Sequence, residues 1–483
     1  MSIELLTQKS GPKISKYIYG QFSEHLGHGI YGSLYVGEDS DMPNVNGMRS
    51  DVVNALKAIH VPVLRWPGGL FADTYHWQDG IGPKDTRKKI VNTNWGDVTE
   101  DNSFGTHEYF ELLHQLGADA YINANIGSGT VQEMAEWVEY MTMAGESPMS
   151  KLRQKNGRQD PWSLKFFGIG NESWGGGGNM RPEYYADVYR QYQTFLPQYD
   201  KDHPIYKVAC GPNEDDYNWT DTLMKYAGEY LDGISLHYYT LPTGQWGLHK
   251  GDATGFPEAQ WDSTMTRTKH MDELITRHST IMDKYDPDHK VNLIVDEWGT
   301  WYNVTKNTNP GFLQQQNTIR DAMVAAINLN IFHKHADRVN MTNIAQMVNV
   351  LQAMILTDGS KMIKTPTYYV FDMYQKHMDA ELVSGIGSVP ENVSYTASQK
   401  DGTLTISVVN YDVHAANQLD FIGIQAYQTI QTATILTAKA MDAHNTFEDP
   451  DAVQEAAYTG ATLSQAGLQL KLPAKSVVTI TLK

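Results

Sequence analysis

The chain of 483 residues is 19% charged and 41% hydrophobic, an ordinary globular composition with length for two or three domains and large cores. Its formal charge of -18 argues against nucleic acid or an acidic membrane face as partner. A single cysteine, Cys210, excludes an internal disulfide, and no apolar run approaches the ~20 residues that span a bilayer.

The segment Met1-Ser2-Ile3-Glu4-Leu5 lacks the basic stretch and apolar core of a signal peptide, so a cytoplasmic protein is expected. Ile3 and Leu5 alternate with polar neighbours as in a short strand. Tyr17 to Phe22 reads as a second strand, ending in Ser23-Glu24-His25. A helix is expected from about Val45 to His60, with Val53, Leu56 and Ile59 at helical spacing. The strand Val61 to Trp66 closes in Arg65-Trp66-Pro67-Gly68-Gly69, and a long loop without periodicity then runs from Leu70 to Gly105.

Further on, a helix over Thr106 to Leu116 precedes a strand from Ala118 to Ile126 with Asn123 and Asn125 near its end. Val131, Met134, Ala135 and Val138 mark one helical face. The apolar run Phe166, Phe167, Ile169 ends abruptly in Asn171-Glu172 and a glycine-rich loop, as a strand buried on both faces would. A helix from Pro182 to Phe195, a strand from Tyr206 to Gly211 and a helix around Thr222 to Tyr230 come next. The strand Gly233 to Tyr239 closes with His237-Tyr238-Tyr239, and a long loop from Thr240 to Thr268 leads to a helix ending near Tyr285. Leu293, Ile294 and Val295 lead into Asp296-Glu297-Trp298. A helical region from Leu313 to His333 and a strand from Arg338 to Asn343 complete the series before Ile344-Ala345-Gln346.

Eight strand–helix units in succession imply parallel pairing with right-handed crossovers and close naturally into a (β/α)8 TIM barrel, placed here at residues 12–375. An open doubly wound sheet is the competing architecture, but the Gly-rich phosphate loop it would carry after its first strand is missing. Gly175 to Gly178 have no Lys-Ser/Thr behind them. After about Gln375 the pattern changes. Leu404, Ile406 and Val408 alternate after an Asp401-Gly402 turn, and Leu468, Leu470 and Leu472 alternate again. A second, all-β sandwich is expected at 376–483.

Chemistry-bearing residues collect at the carboxyl ends of the strands: Glu24, Arg65, Asn125, Asn171-Glu172, Asn213, His237, Tyr239, Glu297 and Gln346. In a barrel those ends form the mouth. Amides, carboxylates and aromatics without a cation cluster suit a neutral polyhydroxylated ligand. No His-Glu-x-x-His or cysteine cluster marks a metal site, and no Gly-x-Ser-x-Gly elbow follows a strand. No metal and no cofactor is therefore expected. Two glutamates delivered by two buried strands remain, the pair that glycosidic cleavage requires: an acid for the leaving oxygen and a carboxylate for the anomeric carbon. In that reading Glu297 as an anion raises the pKa of Glu172 and keeps it protonated. A catalytically idle sugar-binding protein is the alternative from another class.

The stretches Tyr17–Gly27, Leu64–Pro83, Asn102–Glu108, Gly168–Met180, Gly233–Tyr239, Val295–Tyr302 and Gln314–Leu351 resemble glycoside hydrolase family 51, the α-L-arabinofuranosidases, in the family's order across nearly the whole barrel. The resemblance implies a barrel plus a jelly-roll-like sandwich that recruits the amino-terminal strand, residues 1–11. It implies Glu172 as acid/base and Glu297 as nucleophile of a retaining, exo-acting enzyme. Glu24, Asn171, Tyr239 and Gln346 fall on positions that contact the arabinose, and His237 supports them from behind. Leu70 stands where the family usually has Cys or Asn against the sugar. The implied substrate is a terminal arabinofuranoside on oligosaccharides of arabinan or arabinoxylan, and the implied assembly a homohexamer. Another retaining glycosidase of the clan, a xylosidase or endoglucanase, is the nearest alternative.

Overall fold

A computed structural model describes residues 1–247 and 249–483. Its centre is a closed barrel of parallel strands, β1 (Gly20–Phe22), β2 (Val63–Trp66), β3 (Asp119–Ala124), β4 (Phe166–Ile169), β5 (Tyr206–Ala209), β6 (Gly233–Thr240), β7 (Asn292–Thr300) and β8 (Val339–Ile344). Each strand is followed by a helix, and the apolar runs read from the sequence are buried on both faces because helices cover the outside. Inside, one end of the barrel is filled by a layer of Val63, Tyr121, Phe166, Val208, Ile294 and Met341. That end is shut, and the polar strand termini form the opposite mouth.

The second unit consists of a five-stranded and a six-stranded sheet. Ile3, Leu5, Phe421, Leu468 and Leu470 of one sheet pack on Leu404, Ile406, Val408 and Ile480 of the other. The amino-terminal strand Ser2–Leu5 runs parallel to Asn417–Ile422 and antiparallel to Gly385–Gly387, so it belongs to this sandwich. Asp401 and Gly402, both with positive φ, make the expected tight hairpin.

Several local expectations differ from the structure. Tyr17 to Phe22 is half strand only: Lys16–Tyr19 is a 3-10 turn, capped where Ser15 accepts a hydrogen bond from the Tyr17 amide. The expected loop from Leu70 to Gly105 holds three 3-10 turns and a hairpin, Ile90–Asn92 with Val98–Glu100. These elements are too short to show a period. The helix expected after Thr268 begins at Glu258 and runs to Asp283. Its buried stripe includes Thr264, Thr268 and His278 beside Trp261 and Met265, so polarity hid the helical repeat.

The helix Ile319–Lys334 is buried from Ile319 to His333 because it lies between barrel and sandwich. Thr318 and Asp321 form its capping box. Near its far end His333 meets the Tyr19 hydroxyl on the barrel side at 2.9 Å and Thr396 of the sandwich at 3.2 Å. The neighbouring His377 is held between Ser398 and Ser407. Burial keeps both rings neutral, lowering His333 well below its ordinary value and His377 to about 3.

A histidine held neutral in the fold but free to protonate at about pH 6.5 when unfolded gives stability that is complete above that pH and lost as pH falls below it. Urea unfolding should therefore show stability declining from about pH 6.5 toward pH 4. A His377→Gln variant should decline less steeply, by up to about 1.4 kcal/mol per pH unit.

Candidate active site

The site begins with an irregularity in β7. In a regular strand neighbouring side chains face opposite sides, so Asp296 and Glu297 could not both look inward. The register between β7 and β8 slips between Val295 and Trp298, and such a bulge re-aims side chains locally. Both carboxylates then enter the barrel mouth. Glu297 lies beside His237 in the β6–β7 register, and the Tyr239 hydroxyl donates to its Oε1 at 2.7 Å.

Across the mouth, β4 gives way to Gly170, Asn171 and Glu172. Glu172 sits at φ 43, in the left-handed region that costs a non-glycine residue about 1–2 kcal/mol. Local hydrogen bonds hold it there. Its carbonyl accepts from the Gly175 and Gly177 amides, and the Ser173 amide donates to the Cys210 thiol. The glycine loop is thus the clamp on the Glu172 turn. Glu172, Glu297 and His237 each place one donor or acceptor atom within 4.8 Å of the others.

Two buried cations balance the carboxylates. Arg65 at the end of β2 donates to Glu297 at 3.0 Å and to the Asn171 side-chain oxygen at 2.5 Å, with Asp296 at 3.3 Å from its Nε. His237 meets Glu172 through Nδ1 at 3.0 Å and Asp296 through Nε2 at 3.1 Å. Burial opposes a charge on His237, but the Glu297 charge and the hydrogen bonds to Asp296 and Glu172 prevail and push its pKa up to about 10. Burial likewise opposes charge on Asp296, yet Arg65, His237 and the Tyr121 hydroxyl hold its pKa below the ordinary value. Burial raises the pKa of Glu172, against the His237 hydrogen bond, and the Glu297 charge adds to the rise.

At the inner end of the cavity Glu24 is joined by Gln346, and Asn171 is held beside it by Arg65. Glu24 accepts from the Phe71 amide, the Trp95 indole and the Gln346 amide. Burial and the Glu297 charge lift its pKa to about 7. The Asn171 Nδ2 and Gln346 Oε1 atoms are buried without a protein partner, a donor and an acceptor that sugar hydroxyls would satisfy. A Cβ on Gly69 would stand 3.3 Å from a Glu297 oxygen and 3.5 Å from a Glu24 oxygen, so a side chain there would crowd both carboxylates. Leu70 follows, lining a cavity of about 300 Å³ with Trp95, Trp174, Trp246 and Trp301. Its Cδ2 lies where it would stand 2.4 Å from a Cβ on Gly176, so it packs on the loop that clamps Glu172.

All eight residues singled out from the sequence, Glu24, Leu70, Asn171, Glu172, His237, Tyr239, Glu297 and Gln346, come together here. Asn125 does not: its side chain ties the turn Ser128–Gly129 and the Tyr75 carbonyl. Arg65 appeared among the strand ends, but its role at the centre of the charge frame did not. Asp296 and Tyr121 were missed altogether. Glu172, His237 and Glu297 have the spacing of a cation-binding group, but both ring nitrogens of His237 already meet carboxylates.

A (β/α)8 barrel presenting two facing glutamates beside a polar, aromatic-rimmed pocket defines the chain as a glycoside hydrolase. Comparison with known proteins gives the family. Residues 55–254 match the model of the alpha-L-arabinofuranosidase 1 domain, and residues 296–476 that of the alpha-L-arabinofuranosidase C-terminal domain. An intracellular exo-alpha-L-arabinofuranosidase of Bacteroides ovatus is 52% identical over 97% of this chain and 93% of its own. The crystal structure of an arabinofuranosidase from Xanthomonas axonopodis pv. citri superposes with a TM-score of 0.97 at 48% identity, over 100% of this chain and 99% of the other. The arabinose complex of a Thermotoga maritima α-L-arabinofuranosidase gives a TM-score of 0.83 at 31% identity, over 99% and 98%. The chain belongs to glycoside hydrolase family 51, the α-L-arabinofuranosidases.

Replacing Arg65 by Lys keeps the charge but loses the fork that serves three partners at once. Charge-assisted hydrogen bonds contribute about 1.5–3 kcal/mol each, so Arg65→Lys should cut kcat/KM on an aryl arabinofuranoside roughly 10- to 100-fold. A folded variant at the parent rate would show that the contact of Arg65 with Glu297 does not matter to turnover.

Proposed function

We propose that the protein is a retaining, exo-acting α-L-arabinofuranosidase in which Glu172 is the acid/base and Glu297 the nucleophile. The observation that carries this reading is the approach of the two carboxylates to within 4.8 Å. Retaining enzymes hold their carboxyls about 5–5.5 Å apart, whereas inverting ones leave about 6.5–9.5 Å for a water. With so little room between them, Glu297 itself meets the anomeric carbon.

In the first step a Glu297 oxygen bonds to that carbon while the glycosidic C–O bond breaks, and Glu172 gives its proton to the departing oxygen. In the second, Glu172 takes a proton from water as the water oxygen attacks the carbon and the ester to Glu297 opens. Tyr239 stays protonated, because burial and the Glu297 charge raise its pKa far above the ordinary value, and its hydroxyl fixes one Glu297 oxygen. Asn171 Nδ2 is the donor proposed for the sugar 2-hydroxyl, a contact that strengthens as positive charge develops at the anomeric carbon. Glu24 and Gln346 bind the remaining hydroxyls at the closed inner end. That dead end favours release of a single terminal sugar over cleavage within a chain.

The substrate proposed is a terminal arabinofuranoside on short oligosaccharides of arabinan or arabinoxylan. A cytoplasmic address suits such imported fragments and agrees with the relative named intracellular. Among the described residues no helix is long and apolar enough to cross a membrane. Residues 12–375 are proposed as the catalytic unit, with 376–483 and 1–11 as the sandwich. A homohexamer is proposed as the assembly; light scattering should return six times the 54.3 kDa chain.

Kinetics on two leaving groups separate the two glutamates. Glu172→Ala should lose on the order of 10²–10⁴-fold on an arabino-oligosaccharide, the usual contribution of a proton donor. It should keep much of its first-step rate on 4-nitrophenyl α-L-arabinofuranoside, whose leaving group needs no proton. Glu297→Ala should lose both. Methanol added to the parent enzyme should give methyl arabinofuranoside of unchanged anomeric configuration; the opposite anomer would exclude double displacement.

A further inference from the structure

His237 is placed to do more than support its neighbours, because its two nitrogens lie between the acid and a carboxylate with no part in the bond changes. Nδ1 lies 3.0 Å from Glu172 Oε1 and Nε2 3.1 Å from Asp296 Oδ1. The nearer Glu297 oxygen is 3.6 Å from the same Nδ1. Asp296 is in turn fixed by the Tyr121 hydroxyl, which donates to Oδ2 at 2.6 Å, and by Arg65 at 3.3 Å from that oxygen. The ionisable groups around the ring are Glu172 from the β4 turn, Asp296 and Glu297 from β7, Arg65 from β2 and Tyr121 from β3. Tyr239 is on its own strand, and Glu214, whose amide donates to the His237 carbonyl, follows β5.

We propose that Asp296 selects which oxygen of Glu172 carries the catalytic proton, by holding His237 in its doubly protonated form. The inference rests on Glu172 being the acid. When both ring nitrogens carry hydrogen, Nδ1–H donates to Oε1, so Oε1 accepts and the proton of the carboxylic acid resides on Oε2. When the ring is neutral, its one hydrogen stays on Nε2 toward Asp296, and the bare Nδ1 accepts a hydrogen bond from an Oε1–H. The acid then spends its proton on the histidine and offers none to the leaving oxygen. Tyr121 and Arg65 keep Asp296 anionic in this buried place, and the net upward shift of His237 agrees with the charged ring.

During the first step Oε2 loses its proton to the leaving oxygen, and Nδ1–H remains on Oε1 of the new carboxylate. During the second, the proton from water returns to Oε2. Asp296 neither gains nor loses a proton and touches no reacting atom, so it is a positioning residue. Its location one residue before the nucleophile couples the two glutamates through one peptide unit of β7.

The test reads the ring itself. In the full-length enzyme labelled with ¹⁵N-histidine, with the His237 signals assigned by their loss in His237→Gln, both ring nitrogens should resonate as imidazolium at pH 7. In Asp296→Asn they should shift to those of a neutral imidazole at the same pH. The same variant should lose on the order of 10²-fold in kcat/KM on an arabino-oligosaccharide and less than about 10-fold on 4-nitrophenyl α-L-arabinofuranoside. Tyr121→Phe, which leaves the Asp296–His237 contact in place, should show the same leaving-group dependence in weaker form. A neutral His237 in the parent at pH 7, or equal losses on both substrates in Asp296→Asn, would overturn the proposal. A mistaken assignment of the acid shows differently: Glu172→Ala itself would then lose both substrates alike.

Discussion

At the floor of the barrel mouth Glu24, Glu172, Asp296 and Glu297 lie close together, and among the described residues Arg65 and His237 are set against them. Two like charges within 4.8 Å of each other repel by at least about 3.5 kcal/mol at the effective dielectric of such a site. Four anions against two cations would leave an uncompensated excess, which burial makes more costly. Protonating one or two of the four relieves it. Glu172 and Glu24 are the groups whose pKa values rise, whereas Asp296 is held ionised by Arg65, His237 and Tyr121. The opposite shifts of Glu172 and Glu24 on one side and Asp296 on the other thus follow from burial and from where the two cations reach.

That charge frame needs support from outside the mouth, because Arg65 and His237 serve several partners each and tolerate little displacement. Part of the support comes from the far side of β7. The Thr300 hydroxyl and the Tyr302 phenol both donate to Asp321 in the first turn of helix Ile319–Lys334, and the Gln352 side chain accepts from the Thr300 amide. The same helix is packed against the sandwich, with Asn330 donating to Ser394 and His333 meeting Thr396. The strand that carries Glu297 is therefore braced at its end by an element that the sandwich covers. This gives the carboxyl-terminal unit a structural role in the site without any residue of its own in the cavity.

The barrel was legible because its strands are buried on both faces. Runs such as Phe166-Phe167 and Leu293-Ile294-Val295 stand out against amphipathic helices, and each ends in a polar residue at the mouth. Glu172, Glu297, Glu24 and Gln346 could be found that way. Asp296 could not, since strict alternation sends it away from Glu297, and only the bulge returns it to the interior. Tyr121 is a barrel-filling aromatic in sequence terms, and its hydroxyl bond to Asp296 spans 175 positions. Trp95 sits at the tip of a three-residue-stranded hairpin with no period to announce it, yet it donates to Glu24. Residues that act through long-range contact leave no local pattern, and the aromatic rim of the cavity is made almost wholly of them.

In the double displacement proposed for this enzyme, the charge in the mouth is the same before and after each step. At the start Glu297 is the anion and Glu172 the acid. In the covalent intermediate Glu297 is an ester and Glu172 the anion, a few ångströms away. Arg65 bonds to Glu297, and His237 bonds to Glu172 while also lying near Glu297. Negative charge moves from one carboxylate to the other without leaving the reach of the two cations. Leu70 and four tryptophans line part of the cavity and limit the water that can solvate a shifting charge there. Fixed cations placed between the two glutamates do that work in both states, so neither half of the reaction requires the frame to move.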